Sequence, residues 1–214
     1  MDFALFIPIL IASIVVHEVA HAWQARREGD DTAERLGRIT LNPIPHLDLM
    51  GSIILPTILY MGGGVLFGWA KPVPVDPSKF RNHPWSDIRV SMAGIVANLG
   101  LAAILTLFAS AVAVAGDMIP ISVERVLQQL AFQGIFINLL LAVFNLIPIP
   151  PLDGSHVMAK LLPDDLSRRY QAAGKYGFIA LMALVFLVPG SFSVLLMPVD
   201  WLMGLADSFV RIWI

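Results

Sequence analysis

The chain has 214 residues, of which 57% are hydrophobic and only 14% charged, with a mean hydropathy of +0.76 and a formal net charge of -2. Soluble domains carry about a quarter charged residues, so this composition lacks the polar surface that a globule needs in water, and the bilayer is its natural solvent. No basic stripe offers itself to nucleic acid, and the absence of cysteine excludes both a disulfide framework and a thiolate metal site.

Crossing roughly 30 Å of hydrocarbon takes about 20 apolar residues. Residues 3–23 meet that need first. They lack a basic leader and a small-residue cleavage site, and the apolar run continues into His17 and His21, so a retained span is expected rather than a signal peptide. Three further spans are expected at 88–115, 130–148 and 176–199. Residues 191–214, with Trp201 and Trp213, also suit a path along the membrane interface.

Two shorter stretches complete the expected fold. Residues 37–41 alternate apolar and polar side chains before Asn42-Pro43, which predicts a short strand. Residues 50–70 are apolar but broken by Pro56 and by Gly62-Gly63-Gly64. If this stretch crossed the membrane, the loops rich in lysine and arginine would divide between its two sides. If it dips in and returns, only Arg125 and Arg211 stand apart from the other basic residues. Re-entry is therefore expected, with the basic loops and the active site toward the cytoplasm. The fold class is an all-α multi-pass membrane protein of about four transmembrane helices, with a re-entrant segment and a short β-strand region near the active site. One domain spans 1–214, its core at about 1–156 and its C-terminal span at about 176–199.

His17-Glu18-Val19-Ala20-His21 is an HExxH motif. On a helix its two histidines share a face about 6 Å apart along the axis, and Glu18 points roughly 100° away. That spacing brings two imidazole nitrogens to one zinc at about 2.0–2.1 Å and leaves Glu18 beside the metal, free to move a proton. A bare match of this kind is often a solvated helix surface. Here it lies among Ile14-Val15-Val16 and Val19-Ala20, at a depth where ionisable groups default to function.

A hydrolytic zinc takes three protein ligands and keeps one open position. Asp153 follows the span at 130–148 directly and shares the expected depth of His17 and His21. His46 and Asp48, in the re-entrant region, remain alternatives, as does His156 one turn beyond Asp153. Glu28, Glu34 and Glu124 are poorer candidates, and His83 reads as surface.

HEVAH near the end of one span, paired with Asn145-Leu-Ile-Pro-Ile-Pro-Pro-Leu-Asp153-Gly154 after a later one, resembles the site-2 protease family of intramembrane metalloproteases. Gly37-Arg-Ile-Thr-Leu-Asn42-Pro43, His46-Leu-Asp48 and Gly68-Trp-Ala-Lys-Pro-Val-Pro-Val75 are similar to its compact prokaryotic members, so the likeness spans about residues 16–156. The resemblance implies one zinc per chain on His17, His21 and Asp153, with Glu18 as catalytic base. It also implies cleavage of transmembrane protein or peptide substrates in a prokaryotic cell membrane, and substrate or oxyanion roles for Asn145 and Asn98. Two departures stand out: Ile95 replaces the proline that often follows Gly94 in the family, and no space remains for a PDZ domain between core spans. A membrane metal-ion transporter and a non-catalytic zinc scaffold are the rival functions. Cobalt or iron would also fit a site of two histidines and one aspartate.

Overall fold

Long helices form at three of the four expected spans, because in hydrocarbon every backbone N–H and C=O must find its partner within the protein. A computed structural model of the chain describes residues 3–54, 57–58, 61 and 70–213. In chain order its α-helices are α1 (Phe3–Glu28), α2 (Thr32–Arg35), α3 (Trp85–Val114), α4 (Ile121–Leu146), α5 (Asp153–Leu161), α6 (Asp164–Ala173), α7 (Gly177–Leu187) and α8 (Ser191–Arg211). By length and composition, α1, α3, α4 and α8 are able to cross a membrane.

The four long helices alternate in direction. Along α1, Ser13, His17, His21 and Glu28 meet Asn98, Val90 and Ser86 of α3 in falling order, so these two helices are antiparallel. Val199 packs with Ala102, Ile135 and Leu139, while Val210 packs with Ala109 and Ala131. Helix α8 therefore runs parallel to α3 and antiparallel to α4. Small residues permit close approach between helices in lipid. Ala22 and Ala25 on α1, Gly94, Ala102 and Ala109 on α3, and Ala131 and Ala142 on α4 are all buried.

The chain between α1 and α3 folds back over the end of this bundle. Residues 70–76 form no regular element and have no strand partner among the described residues; one backbone bond, Lys71 N–H to His46 O, and several side chains hold them. Arg38 donates to the carbonyls of Lys71 and Pro72, Glu18 accepts from Val73 N–H, and Asp30 accepts from Asp76 N–H. Val73 then packs on Ala22 and Ala33.

Three expectations change. No strand occurs among the described residues, and 37–41 forms turns and bends. The Arg38 N–H goes back to Ala33 O, Thr40 Oγ1 accepts from Asn42 N–H, and Thr40 O bonds His46 Nε2, which leaves no run of groups for a ladder. The span expected at 176–199 is divided, because Val188-Pro189-Gly190 breaks it and Gly190 takes φ 82°, a left-handed conformation that glycine adopts without a Cβ clash. The last membrane-length helix is Ser191–Arg211, in place of an interfacial tail. Residues 49–54 form a π-helical turn, and most of the expected re-entrant segment at 50–70 lies outside the described residues.

Asp30 supplies a test of the loop clamp. Burial pushes its carboxyl up, but hydrogen bonds from Asp76 N–H, Thr32 and Lys79 together hold it below its ordinary range. Its contribution is therefore complete at neutral pH and is lost as pH falls through the lowered native value, below about 4. Asp30→Asn is expected to unfold at a lower temperature than wild type at pH 7, and the gap is expected to narrow below about pH 4. Thermal unfolding in detergent across that range checks this, and a gap that widens on acidification contradicts it.

Candidate metal centre

One face of α1 carries a polar stripe, Ser13, His17, His21, Gln24 and Glu28, at intervals of three or four residues. That spacing keeps all five on one side of the helix, and α3 answers with Ser86, Val90, Gly94 and Asn98 at intervals of four. At the outer end Glu28 accepts from Arg89 at 2.6 and 2.8 Å and from Ser86 Oγ at 2.6 Å. Deeper in, His21 Nδ1 lies 2.7 Å from Val90 O, and His17 Nδ1 lies 2.5 Å from Asn98 Oδ1. Trp23, stacked under Arg27, sits six residues, about 9 Å, beyond His17 along the axis.

Asp153 reaches the same point from another direction. Pro148, Pro150 and Pro151 end α4, and the chain turns back so that Asp153 opens α5. Ser155 fastens this turn with N–H and Oγ bonds to Leu152 O. Gly154 is packed so closely on α4 that a Cβ would stand 2.3 Å from Leu146 O. Asp153 Oδ2 comes within 3.1 Å of His17 Nε2 and 3.2 Å of His21 Nε2, while the two nitrogens are 3.0 Å apart.

The protons decide what this triangle can hold. A backbone carbonyl only accepts, so His21 Nδ1 carries the hydrogen in its bond to Val90 O. Asn98 Nδ2 donates to Ser13 O, which turns Asn98 Oδ1 toward His17 and places a hydrogen on His17 Nδ1. With neutral rings, both Nε2 atoms are bare lone pairs facing a carboxylate oxygen. Three such acceptors repel one another unless a cation lies among them. Tetrahedral zinc at about 2.0–2.1 Å from its ligands separates them by about 3.3 Å, close to the spacing found. The donor set fits zinc, and among the described residues His17, His21 and Asp153 form such a group.

Beside the triangle lies a cavity of about 780 Å³, within the usual range for a ligand site. Its wall follows α1 from Phe6 to His21, about 22 Å of axis. Glu18 faces it and accepts from Val73 N–H at 2.8 Å, a bond that fixes the carboxylate next to the histidines. Asn145 lines the same cavity and donates to Leu141 O at 3.0 Å.

The other candidates lie elsewhere. His46 is fully buried against Thr40 O, Asp48 Oδ1 accepts from Gly51 N–H, and His156 lines the cavity without joining the triangle. Glu34 pairs with Arg26, Glu28 with Arg89, and Glu124 lies near Gly116 beyond the far end of α3. His83 contacts Asp87 at 2.5 Å. Asn98, expected in a substrate or oxyanion role, lies against His17, its Oδ1 2.5 Å from His17 Nδ1. It is fully buried behind the His17 ring, and its amide donates inward to Ser13 O and Asn138 Oδ1, so no N–H faces the cavity. Sequence reasoning also passed over Gly94. A Cβ there would stand 2.5 Å from both His17 Cε1 and His21 Nε2. Its signal was the four-residue spacing from Val90 to Asn98.

Comparison with known proteins gives concordant results. The chain matches Peptidase family M50 over residues 5–131 and 109–188. It is 40% identical over 183 residues to "Putative zinc metalloprotease YwhC" of Bacillus subtilis (strain 168), an alignment covering 86% of this chain and 80% of the relative. It is 32% identical over 187 residues to "Putative zinc metalloprotease Rip2" of Mycolicibacterium smegmatis, covering 86% of this chain and 67% of that protein. A Mycobacterium tuberculosis (strain ATCC 25618 / H37Rv) protein of the same name is 30% identical over 216 residues, covering 98% and 77%. No solved structure matches the chain.

The contact at Gly94 yields a direct test. Gly94→Ala is expected to weaken zinc binding by at least about tenfold, the scale of losses when groups supporting ligands are disturbed. Gly100→Ala on the same helix, where a Cβ meets nothing within 4 Å, is expected to bind as wild type does. Chelator competition on both variants measures this, and equal affinities contradict the close packing.

Proposed function

The chain belongs to peptidase family M50, the site-2 protease family, and from that membership we propose that this membrane zinc metalloendopeptidase cuts peptide bonds in or near transmembrane segments of membrane-bound substrates. His17, His21 and Asp153 hold the zinc, and Glu18 is the catalytic base. The observation that carries this reading is the convergence of three bare acceptor atoms beside a carboxylate that is not itself part of the triangle.

Zinc held there supplies Lewis acidity, which acidifies water and polarises a substrate carbonyl. The remaining chemistry belongs to the chain. Glu18, anchored by Val73 N–H, takes a proton from the attacking water and returns one to the leaving amide nitrogen. Asn145, on the cavity wall, donates an N–H to the oxygen on which charge develops. Phe6, Leu10 and Ile14 of α1 and Leu140, Leu141 and Phe144 of α4 line the cavity, a lining that suits an apolar substrate segment.

Among the described residues the group has three ligands rather than four, which supports catalysis over a scaffold role, since structural zinc sites are normally closed by a fourth protein ligand. The basic loops support a cytoplasmic active site. Every lysine and arginine except Arg125 and Arg211 belongs to the end of the bundle where α1 finishes and α3 begins, or to the segments joined to that end.

The test is cleavage of a single-span substrate by the purified protein in detergent. Glu18→Gln is expected to reduce the rate by at least about 10²-fold while keeping its zinc, and chelation is expected to abolish wild-type activity until zinc is restored. Cleavage by Glu18→Gln at the wild-type rate, or activity that survives metal removal, contradicts the proposal.

A further inference from the structure

Behind His17, on the side away from the cavity, lies a buried polar cluster that takes no part in the hydrolysis described above. Asn98 and Asn138 are fully buried and Ser13 is 1% exposed, where α1, α3 and α4 meet. At this depth polar side chains are costly unless each finds its partners. Their bonds also have a direction, set at the backbone.

The Gly134 carbonyl only accepts, and it lies 2.9 Å from Asn138 Nδ2. The same amide nitrogen gives its other hydrogen to Ser13 Oγ at 2.9 Å. Asn138 Oδ1 is therefore turned toward Asn98, where it accepts from Nδ2 at 2.8 Å. Asn98 Nδ2 sends its second hydrogen to Ser13 O at 3.3 Å, leaving Oδ1 for His17 Nδ1. Reversing Asn98 alone would set its oxygen against Asn138 Oδ1 and Ser13 O, and its nitrogen against the His17 N–H. Every contact would then fail.

We propose that Asn138, held by Ser13 and the Gly134 carbonyl, is a positioning residue for the zinc site: it fixes the Asn98 amide in the orientation that keeps His17 protonated at Nδ1 and bare at Nε2. Asn138 touches neither metal nor substrate and acts only through Asn98. The inference rests on His17 being a zinc ligand. A partner that sets the tautomer and angle of a ligating histidine commonly contributes 10- to 100-fold in metal affinity.

The experiment measures zinc affinity by chelator competition and the absorption spectrum of the cobalt-substituted protein. Both are recorded on the full chain in detergent for wild type, Asn98→Leu, Asn138→Leu and the double variant, with unfolding temperature alongside. Asn98→Leu is expected to bind zinc 10- to 100-fold more weakly and Asn138→Leu about tenfold more weakly, each with a shifted cobalt spectrum. Because Asn138 acts through Asn98, the double variant is expected to bind no more weakly than Asn98→Leu alone. A residue that merely supported packing would lower the unfolding temperature and leave affinity and spectrum in place. Should Asn138→Leu fail to fold, Ser13→Ala, which removes one acceptor from the Asn138 amide, is expected to weaken binding about threefold, the low end of what one hydrogen bond contributes. Wild-type affinity and spectrum in a folded Asn138→Leu, in Ser13→Ala if that variant carries the test, or additive losses in the double variant, overturns the inference. A wild-type protein that takes up no zinc overturns instead the assignment of His17 as a ligand.

Discussion

Three electron-pair donors held within about 3 Å of one another, inside a helical bundle of membrane length, are the constraint on which the rest of the structure depends. Like-signed dipoles and a carboxylate do not gather in a medium of low dielectric unless a cation offsets their repulsion. The surrounding sequence gives up stability to bring them there. Gly94 forgoes a side chain so that two rings lie against the α3 backbone, and Gly154 does the same so that Asp153 turns beneath α4. Glycine inside a helix costs roughly 1 kcal/mol relative to alanine, a loss that makes sense only where closeness is required.

Polar groups below the site follow the same logic. Hydrocarbon offers no water to satisfy a stray amide or hydroxyl, so Ser13, Asn98 and Asn138 satisfy one another and end on backbone carbonyls. Above the site the cavity is reached by the segment 70–76, whose prolines at 72 and 74 lack donors. Side chains from α1 and from the chain after it hold this segment, and one of those side chains is Glu18. Glu18, the proposed base, is thus held by a backbone N–H of this segment, which couples the loop to the site without a sheet.

Much of this was legible in the sequence, for identifiable reasons. Helical periodicity is local, so His17 and His21 declared a shared face at once, and matched depth at the ends of two spans singled out Asp153 from a distance of 132 positions. Contacts between helices are not local. Nothing in the hydropathy of α4 marks Asn138 as the partner of Asn98, and a glycine among alanines on α3 resembles ordinary small-residue packing. Asn98 was legible as a position near the site, but helix rotation decides whether its amide faces the substrate or the ligand, and rotation is not written in the hydropathy. The alternation at 37–41 suggested a strand, yet Thr40 and Asn42 bonded their own neighbourhood first, as short polar side chains do in turns. Val188-Pro189-Gly190 carried a visible break signal that the apolar composition on either side outweighed.

Zinc-edge X-ray absorption of the purified wild-type protein in detergent reads the metal's own surroundings. One zinc per chain is expected, with scattering from two imidazoles and a carboxylate oxygen at about 2.0–2.1 Å. A metal shell without imidazole scattering, or a protein that cleaves its substrate while holding no metal, would contradict that expectation.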